Sequence, residues 1–204
     1  LEELLFLSDA VIISSPTVTH YSVAKLALES GCHVLIEKPI CERVQDALEL
    51  NEIALKRGLV CQVGFLERYR LKALMADNPI TPHCQLELQR LSTSVGREPS
   101  IDVVSDLMVH DIDLVLSIMK EDPIQISAKG YNVITDYLDF ATARLEFSGG
   151  AIANLTASRI ASQITRRLRA VNQENYTEFD FVTNTTFYVG KANTIPQQKS
   201  ITID

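Results

Sequence analysis

The segment Asp106-Leu107-Met108-Val109-His110-Asp111-Ile112-Asp113 carries the residue types of an acid–base device. Asp106, His110 and Asp113 stand at i, i+4 and i+7, so on a helix all three project from one side. A carboxylate one turn from an imidazole fixes the ring's tautomer and raises its basicity, which leaves the far nitrogen to take a proton from a substrate. A solvated stripe of i,i+4 pairs has the same pattern, and the spacing alone does not separate the two. A second candidate is Glu37-Lys38-Pro39, which ends an apolar run. In an α/β sheet a lysine delivered there points into the binding crevice; otherwise it is half of a surface Lys–Glu pair before a turn proline. Pro39 also permits a cis peptide at this exit. Ser14-Ser15-Pro16-Thr17 ends an earlier apolar run and puts small residues and a helix N-terminus where a cofactor phosphate or ribose could approach. Arg159, Arg166, Arg167 and Arg169 cluster in an otherwise acidic chain. Guanidinium groups bind phosphate or carboxylate in a planar, bidentate way, so the cluster is either a clamp for an anionic substrate tail or a solvated strand edge. His20, His33 and His83 have no partner at metal-ligand spacing and read as structural, so no metal is expected.

These side chains need elements to hold them. Ala10-Val11-Ile12-Ile13, His33-Val34-Leu35-Ile36 and Leu59-Val60-Cys61-Gln62-Val63 are short apolar runs of the kind buried on both faces of a parallel sheet. Between the first two, Val23, Leu26, Ala27 and Ser30 share a helix face, opened by Thr17 or Thr19 as N-cap and closed by Gly31. Between the second and third, Val44, Ala47, Leu48, Ala54 and Leu55 form another stripe, broken by Asn51 and closed by Gly58. Alternation of strand and helix with right-handed crossovers predicts a doubly wound α/β sheet over residues 1–65. From residue 66 the texture changes. Glu67 to Ala76 reads as a helix stopped by Asn78-Pro79 and Thr81-Pro82, Gln85 to Thr93 as a half-buried strand, and Ile101 to Lys120 as a long helix ended by Asp122-Pro123. Met108, Ile112, Val115 and Met119 on that helix read as core. Strands follow at Ile124 to Val133, Phe140 to Phe147, Ala151 to Arg159, Leu168 to Val171 and Thr177 to Val189, with a hairpin at Gly149-Gly150. The fold class is therefore α/β plus α+β: residues 1–65 are part of a Rossmann-type sheet, and residues 66–204 form a mostly antiparallel sheet with helices on one face.

Composition narrows the function. Nineteen Lys and Arg stand against 26 Asp and Glu, a formal charge of −7, which has the wrong sign for wrapping nucleic acid or binding an anionic membrane. No apolar run reaches the roughly 18 residues of a membrane-spanning helix. Four cysteines, at 32, 41, 61 and 84, make no CxxC pair and no dense framework, so a reducing, cytoplasmic location is expected, with Cys32 and Cys61 as small buried hydrophobes. The first residue is Leu, not Met, and Leu1 to Leu7 reads as the tail of a helix.

Taken in order, Asp9-Ala10-Val11-Ile12-Ile13-Ser14-Ser15-Pro16-Thr17 with His20, Glu37-Lys38-Pro39, Gly64-Phe65 with Arg68-Tyr69, and Asp106-x-x-x-His110 resemble the glucose-fructose oxidoreductase and inositol dehydrogenase (Gfo/Idh/MocA) family across nearly the whole chain. The resemblance implies an oxidoreductase that uses NAD or NADP to move a hydride from a sugar, sugar-nucleotide or polyol carbon. It makes Lys38 the group that orients the reacting hydroxyl, His110 the general base or acid and Asp106 its support. Ser15, Pro16, Thr17, His20, Glu37, Lys38 and Pro39 are expected along the cofactor, and Arg68, Asp113, Arg159 and Arg166 at the substrate. The stretch from Asp106 to Leu116 and the arginines from Arg159 onward are most similar to bacterial members acting at carbon 3 of UDP-N-acetylglucosamine, where an arginine clamp for a diphosphate is apt. A homo-oligomer, dimer or tetramer, through the open sheet face is expected by the same analogy.

One departure is large. The family's G-x-G-x-x-G turn, whose backbone N–H groups hold the pyrophosphate, is absent, since none of the eight glycines makes even a G-x-G. The chain is expected to be an incomplete stretch of a longer enzyme. The competing expectation is a non-catalytic regulatory or ligand-binding protein that keeps the oxidoreductase fold.

Overall fold

The structure, a computed structural model, describes residues 1–75, 80–93, 101–191 and 193–200. Its chain divides into two compact units, Leu1–Phe65 and Leu66–Asp204.

The first unit runs α1 (Glu2–Phe6), β1 (Ala10–Ile13), α2 (Thr17–Glu29), β2 (His33–Ile36), α3 (Val44–Arg57) and β3 (Cys61–Val63). The strands pair in parallel in the order β1-β2-β3, with Ile13 opposite Ile36 and Ile36 opposite Val63. Both crossovers advance in the same direction, so right-handedness puts α2 and α3 on one face. Val11, Ile13, Val34, Ile36 and Cys61 turn toward Leu5, Ala24, Ala27, Leu28, Leu50 and Ala54 on the helices. This corrects the expectation of burial on both faces: the alternate residues His33 and Gln62 are exposed, and Ile12 is 74% exposed. Two helix details also differ from expectation. The N-cap of α2 is Pro16, with no side-chain cap; its fixed backbone makes the turn, and Thr19 instead donates its hydroxyl to the Pro16 carbonyl at 2.7 Å. Helix α3 runs through Asn51 without a break, because that residue faces solvent and its amide has no need of the backbone. Gly58 ends α3 at φ 66°, where a left-handed turn favours glycine.

The second unit holds α4 (Glu67–Leu74), β4 (Gln85–Leu91), a π-helical turn (Val104–Met108), α5 (Val109–Met119), β5 (Gln125–Tyr131), β6 (Phe140–Glu146), a 3-10 turn (Ser148–Gly150), β7 (Ile152–Ser158), β8 (Thr165–Val171), β9 (Asn175–Asp180), β10 (Thr185–Gly190) and β11 (Asn193–Ser200). The eight strands form one sheet, ordered β11-β10-β9-β8-β4-β7-β6-β5, in which β4–β7 is the parallel pair and the rest are antiparallel. Leu86 and Leu88 on β4, Ala153 and Leu155 on β7 and Leu168 on β8 form the core with Met108, Leu114, Val115, Ile118 and Met119. The long helical pattern from Ile101 to Lys120 is a π turn leading into α5, and it ends where expected, at Lys120, in a left-handed conformation, φ 58°. Thr177 to Val189 is a hairpin, not one run, because Asn184 takes a left-handed turn at φ 53°. The strand β11 had no expected counterpart. Ala76 and Asn78-Pro79 lie outside the described residues.

Candidate functional site

In the first unit the candidate residues gather at the carboxyl ends of β1 and β2. Ser14, Ser15 and Pro16 are exposed, and Glu37, Lys38 and Pro39 are half-buried. The Lys38–Pro39 peptide is cis. His20, 1% exposed, projects from α2 beneath both strand ends: its Nδ1 lies 2.9 Å from the Pro39 carbonyl oxygen and its Nε2 2.8 Å from that of Ser15. It thus ties the two loops together from behind. The hydroxyls of Ser15 and Thr19 meet at 2.6 Å and shape the entry to α2. Glu37 packs its carboxylate over the α-carbon of Gly64, at the end of β3; a Cβ there would stand 3.3 Å from Oε1, tighter than ordinary contact. Glycine at 64 therefore lets the carboxylate sit against backbone.

In the second unit the π turn carries Asp106, and the first turn of α5 carries His110, both half-buried. A π turn widens the helix locally, and such turns recur at functional sites. Asp102 caps the entry, its Oδ1 accepting the backbone N–H groups of Val104 at 2.8 Å and Ser105 at 2.9 Å. Asp113, one turn beyond His110, is buried and takes both arms of Arg68: Nε donates to Oδ2 at 2.5 Å, and Nη2 donates to Oδ1. Arg68 is itself half exposed on α4, so the pair holds a cationic group at the surface beside the helix.

The arginine cluster is divided by strand parity. Arg167 and Arg169 lie on the open face of the sheet, committed to neighbours: Arg169 donates from Nε to Glu178 at 2.7 Å and from Nη1 to Glu87 at 3.2 Å, and Arg167 donates from Nη2 to Asp180 at 3.1 Å. Arg166 is exposed and stands opposite Arg90 in the β4–β8 register, on the helix-covered side. Arg159, 6% exposed, donates from Nη2 to the Ile101 carbonyl at 2.7 Å, just ahead of the π turn, while its buried Nη1 has no hydrogen-bond partner. Next to it Asp139, fully buried, accepts hydrogen bonds from the N–H groups of Val133, Ile134 and Thr135 and from the Thr135 hydroxyl. Burial pushes this carboxyl up, but the four donors outweigh it and hold it well below the usual carboxylate range.

Sequence reasoning passed over Arg90, Glu67 and Arg70. Arg90, 4% exposed, donates from Nε and Nη2 to Oδ1 of Asp111, at 3.0 and 2.7 Å. A signal for it exists in Leu86-x-Leu88-x-Arg90, where alternation puts an arginine on the inward face of β4. Burial pushes the Asp111 carboxyl up, against the pull of Arg90. Among the described residues no group of three His, Cys, Asp or Glu side chains could hold a metal ion, and no helix is long and apolar enough to cross a membrane.

Comparison with known proteins covers both units. Residues 1–65 match the model of an oxidoreductase family with an NAD-binding Rossmann fold, and residues 87–174 match that of the GFO/IDH/MocA C-terminal domain. The chain is 38% identical over 191 residues to the UDP-N-acetylglucosamine 3-dehydrogenase of Acidithiobacillus ferrooxidans, an alignment covering 92% of this chain and 61% of that enzyme. A solved structure of that dehydrogenase superposes with a TM-score of 0.91 at 35% identity, covering 100% of this chain and 67% of the other. An inositol dehydrogenase homolog from Azotobacter vinelandii, solved with NADH and myo-inositol, shares the fold at a TM-score of 0.80 and 20% identity, covering 97% of this chain and 58% of its own.

Proposed function

Since the chain belongs to the GFO/IDH/MocA oxidoreductase family, we propose that it forms part of an NAD-dependent dehydrogenase that oxidises a sugar-nucleotide hydroxyl, with carbon 3 of UDP-N-acetylglucosamine as the leading substrate position. The observation that carries this reading is the likeness over 92% of the chain to an enzyme of that name, with Lys38 just beyond the end of β2, Asp106 on the π turn and His110 four residues later at the start of α5.

The residues present suit the nicotinamide side of a dinucleotide. Exposed Ser15 and Pro16, half-buried Thr17, Glu37, Lys38 and Pro39, and His20 fixing both loops form a small-residue rim at the carboxyl ends of two parallel strands, where such ligands bind. Bound NAD supplies the hydride acceptor. The Lys38 ammonium orients the reacting hydroxyl and eases its loss of a proton. His110 takes that proton, and Asp106 keeps the ring aimed and stabilises its charged form. Arg68, held by Asp113, together with Arg159 and Arg166, meets the diphosphate; two of the four clustered arginines, Arg167 and Arg169, are already paired on the open face and are left out of the clamp. Acceptance of NADP as well as NAD, assembly into a dimer or tetramer through the open sheet face, and a cytoplasmic location complete the proposal.

The test is a panel of UDP-N-acetylglucosamine, UDP-glucose and myo-inositol, each with NAD and with NADP, using the full-length protein and following reduced nicotinamide. Turnover of UDP-N-acetylglucosamine well above the free polyol is expected. Turnover of the polyol alone would replace the substrate, and none with any pair would favour a non-catalytic protein.

A further inference from the structure

Two buried carboxylates of the second unit lie beside the candidate base, not in it. His110 is followed by Asp111 and, two residues later, Asp113, and both carboxylates are buried and held by arginines from other elements. Asp113 is held by Arg68 from α4, and Asp111 by Arg90 from β4. Arg90 continues into a chain of charge: its Nη1 lies 3.8 Å from Glu67 on α4. Glu67 accepts from Arg70 Nη1 at 3.1 Å, and Arg70 donates from Nη2 to Asn184 at 2.6 Å and to the Phe181 carbonyl. The path therefore runs from the β9–β10 turn through α4 and β4 to the first turn of α5.

Such a path is a poor way to gain stability. Desolvating an arginine and a carboxylate costs several kcal/mol, and a well-packed apolar pair in the same space is often as stable or more so. Arg90 occupies a position whose neighbours on the same face, Leu86 and Leu88, are core leucines. Moreover, both of its hydrogen bonds go to Oδ1, and the buried Oδ2 of Asp111 has no hydrogen-bond partner. The pair is thus directional and incompletely satisfied, which suits a device that sets orientation.

We propose that Arg90 and Asp111 are positioning residues that fix the rotation of the first turn of α5, and with it the aim of His110, where the helix passes from π to α winding. An apolar contact would fill the space but would not select one rotation, since it has no directional bonds. The π turn makes this selection necessary, because it leaves the helix without a uniform winding just before His110. The inference rests on the proposed role of His110, and its test is split accordingly.

Full-length protein labelled with 15N-histidine gives the ring signals of His110, assigned against His110→Ala, and needs no turnover. The same samples are assayed with UDP-N-acetylglucosamine and NAD. Arg90→Met alone leaves Asp111 buried and unpaired, so it lowers Tm. The double variant Arg90→Met/Asp111→Leu should regain Tm yet keep displaced His110 ring signals, with kcat down about tenfold or more and KM within about threefold. Arg90→Lys, which keeps the charge but loses the fork, should displace the same signals by less. A double variant with wild-type Tm, wild-type kcat and unmoved His110 signals would overturn the proposal. If that variant fails to fold, unmoved signals in a folded Arg90→Lys protein overturn it equally. A wild-type protein inactive on the whole panel would defeat the dehydrogenase reading, while the ring signals would still decide the positioning role.

Discussion

At the scale of single residues, two kinds of charge are distinct in this protein. Asp139 and Asp113 are buried and fully occupied with structural donors, whereas Lys38 and His110 sit half-buried at element ends. Truncating the second kind is expected to remove chemistry. His110→Ala and Lys38→Ala in the full-length protein are each expected to lower the rate of hydride transfer by about a hundredfold or more while leaving NAD affinity near normal. Stopped-flow reduction at the wild-type rate in either variant would remove that residue from the mechanism. Asp139 belongs to the first kind. Its carboxyl is held below its unfolded value, so its contribution to stability is complete above the unfolded range, near pH ~4, and is lost as pH falls toward the folded value. Asp139→Ala should therefore cost about 2 kcal/mol at neutral pH, by leaving three loop N–H groups without an acceptor. Thermal unfolding across a pH series checks the sign: below pH ~4 the variant's stability should fall less steeply than the wild type's.

At the scale of elements, periodicity was legible and local backbone winding was not. The apolar triplets and the stripes between them found β1 to β3 and the helices around them, since burial repeats along each element. The π turn left no trace in residue spacing, because Asp106 and His110 remain four apart in either winding. The end of α5 at Lys120 was legible from Asp122-Pro123 just beyond it, whereas the left-handed turn that ends the helix on a lysine was not. That residue supplies a test. Lys120 is exposed at φ 58°, so Lys120→Gly should stabilise the second unit by about 0.5 to 1 kcal/mol, read as a raised denaturation midpoint with unchanged slope. An unchanged or lowered midpoint would mean that the backbone is not strained there.

At the scale of the whole molecule, the net charge of −7 coexists with a local order that net charge conceals. On the open face of the large sheet, Glu87, Arg169, Glu178 and Phe187 stand in one cross-strand row, so opposite charges face each other and an aromatic follows them. Tyr176 meets Phe187 edge-on, with ring centroids 6.1 Å apart, on that same face. A broad face with paired charges and an aromatic patch suits the proposed self-association. Phe187→Lys, opposite Glu178, should leave the sheet intact and shift the full-length protein toward monomer in sedimentation velocity; an unchanged mass would place the contact elsewhere.

By itself the sequence determined the two textures of the chain, the elements bearing Lys38, Asp106 and His110, and the family they resemble, since each follows from local periodicity or an uninterrupted motif. Only the tertiary structure decided which charges are already spent. Arg167 and Arg169 look identical to Arg159 and Arg166 along the chain, yet strand parity and register send them to acidic neighbours that are nine residues or more away, such as Glu178 and Glu87. Asp111 differs from Asp113 in no local way, and the arginine that claims it lies 21 positions earlier on another element. Pairing of this kind is set by which faces meet, and that is a property of the folded sheet and helix together.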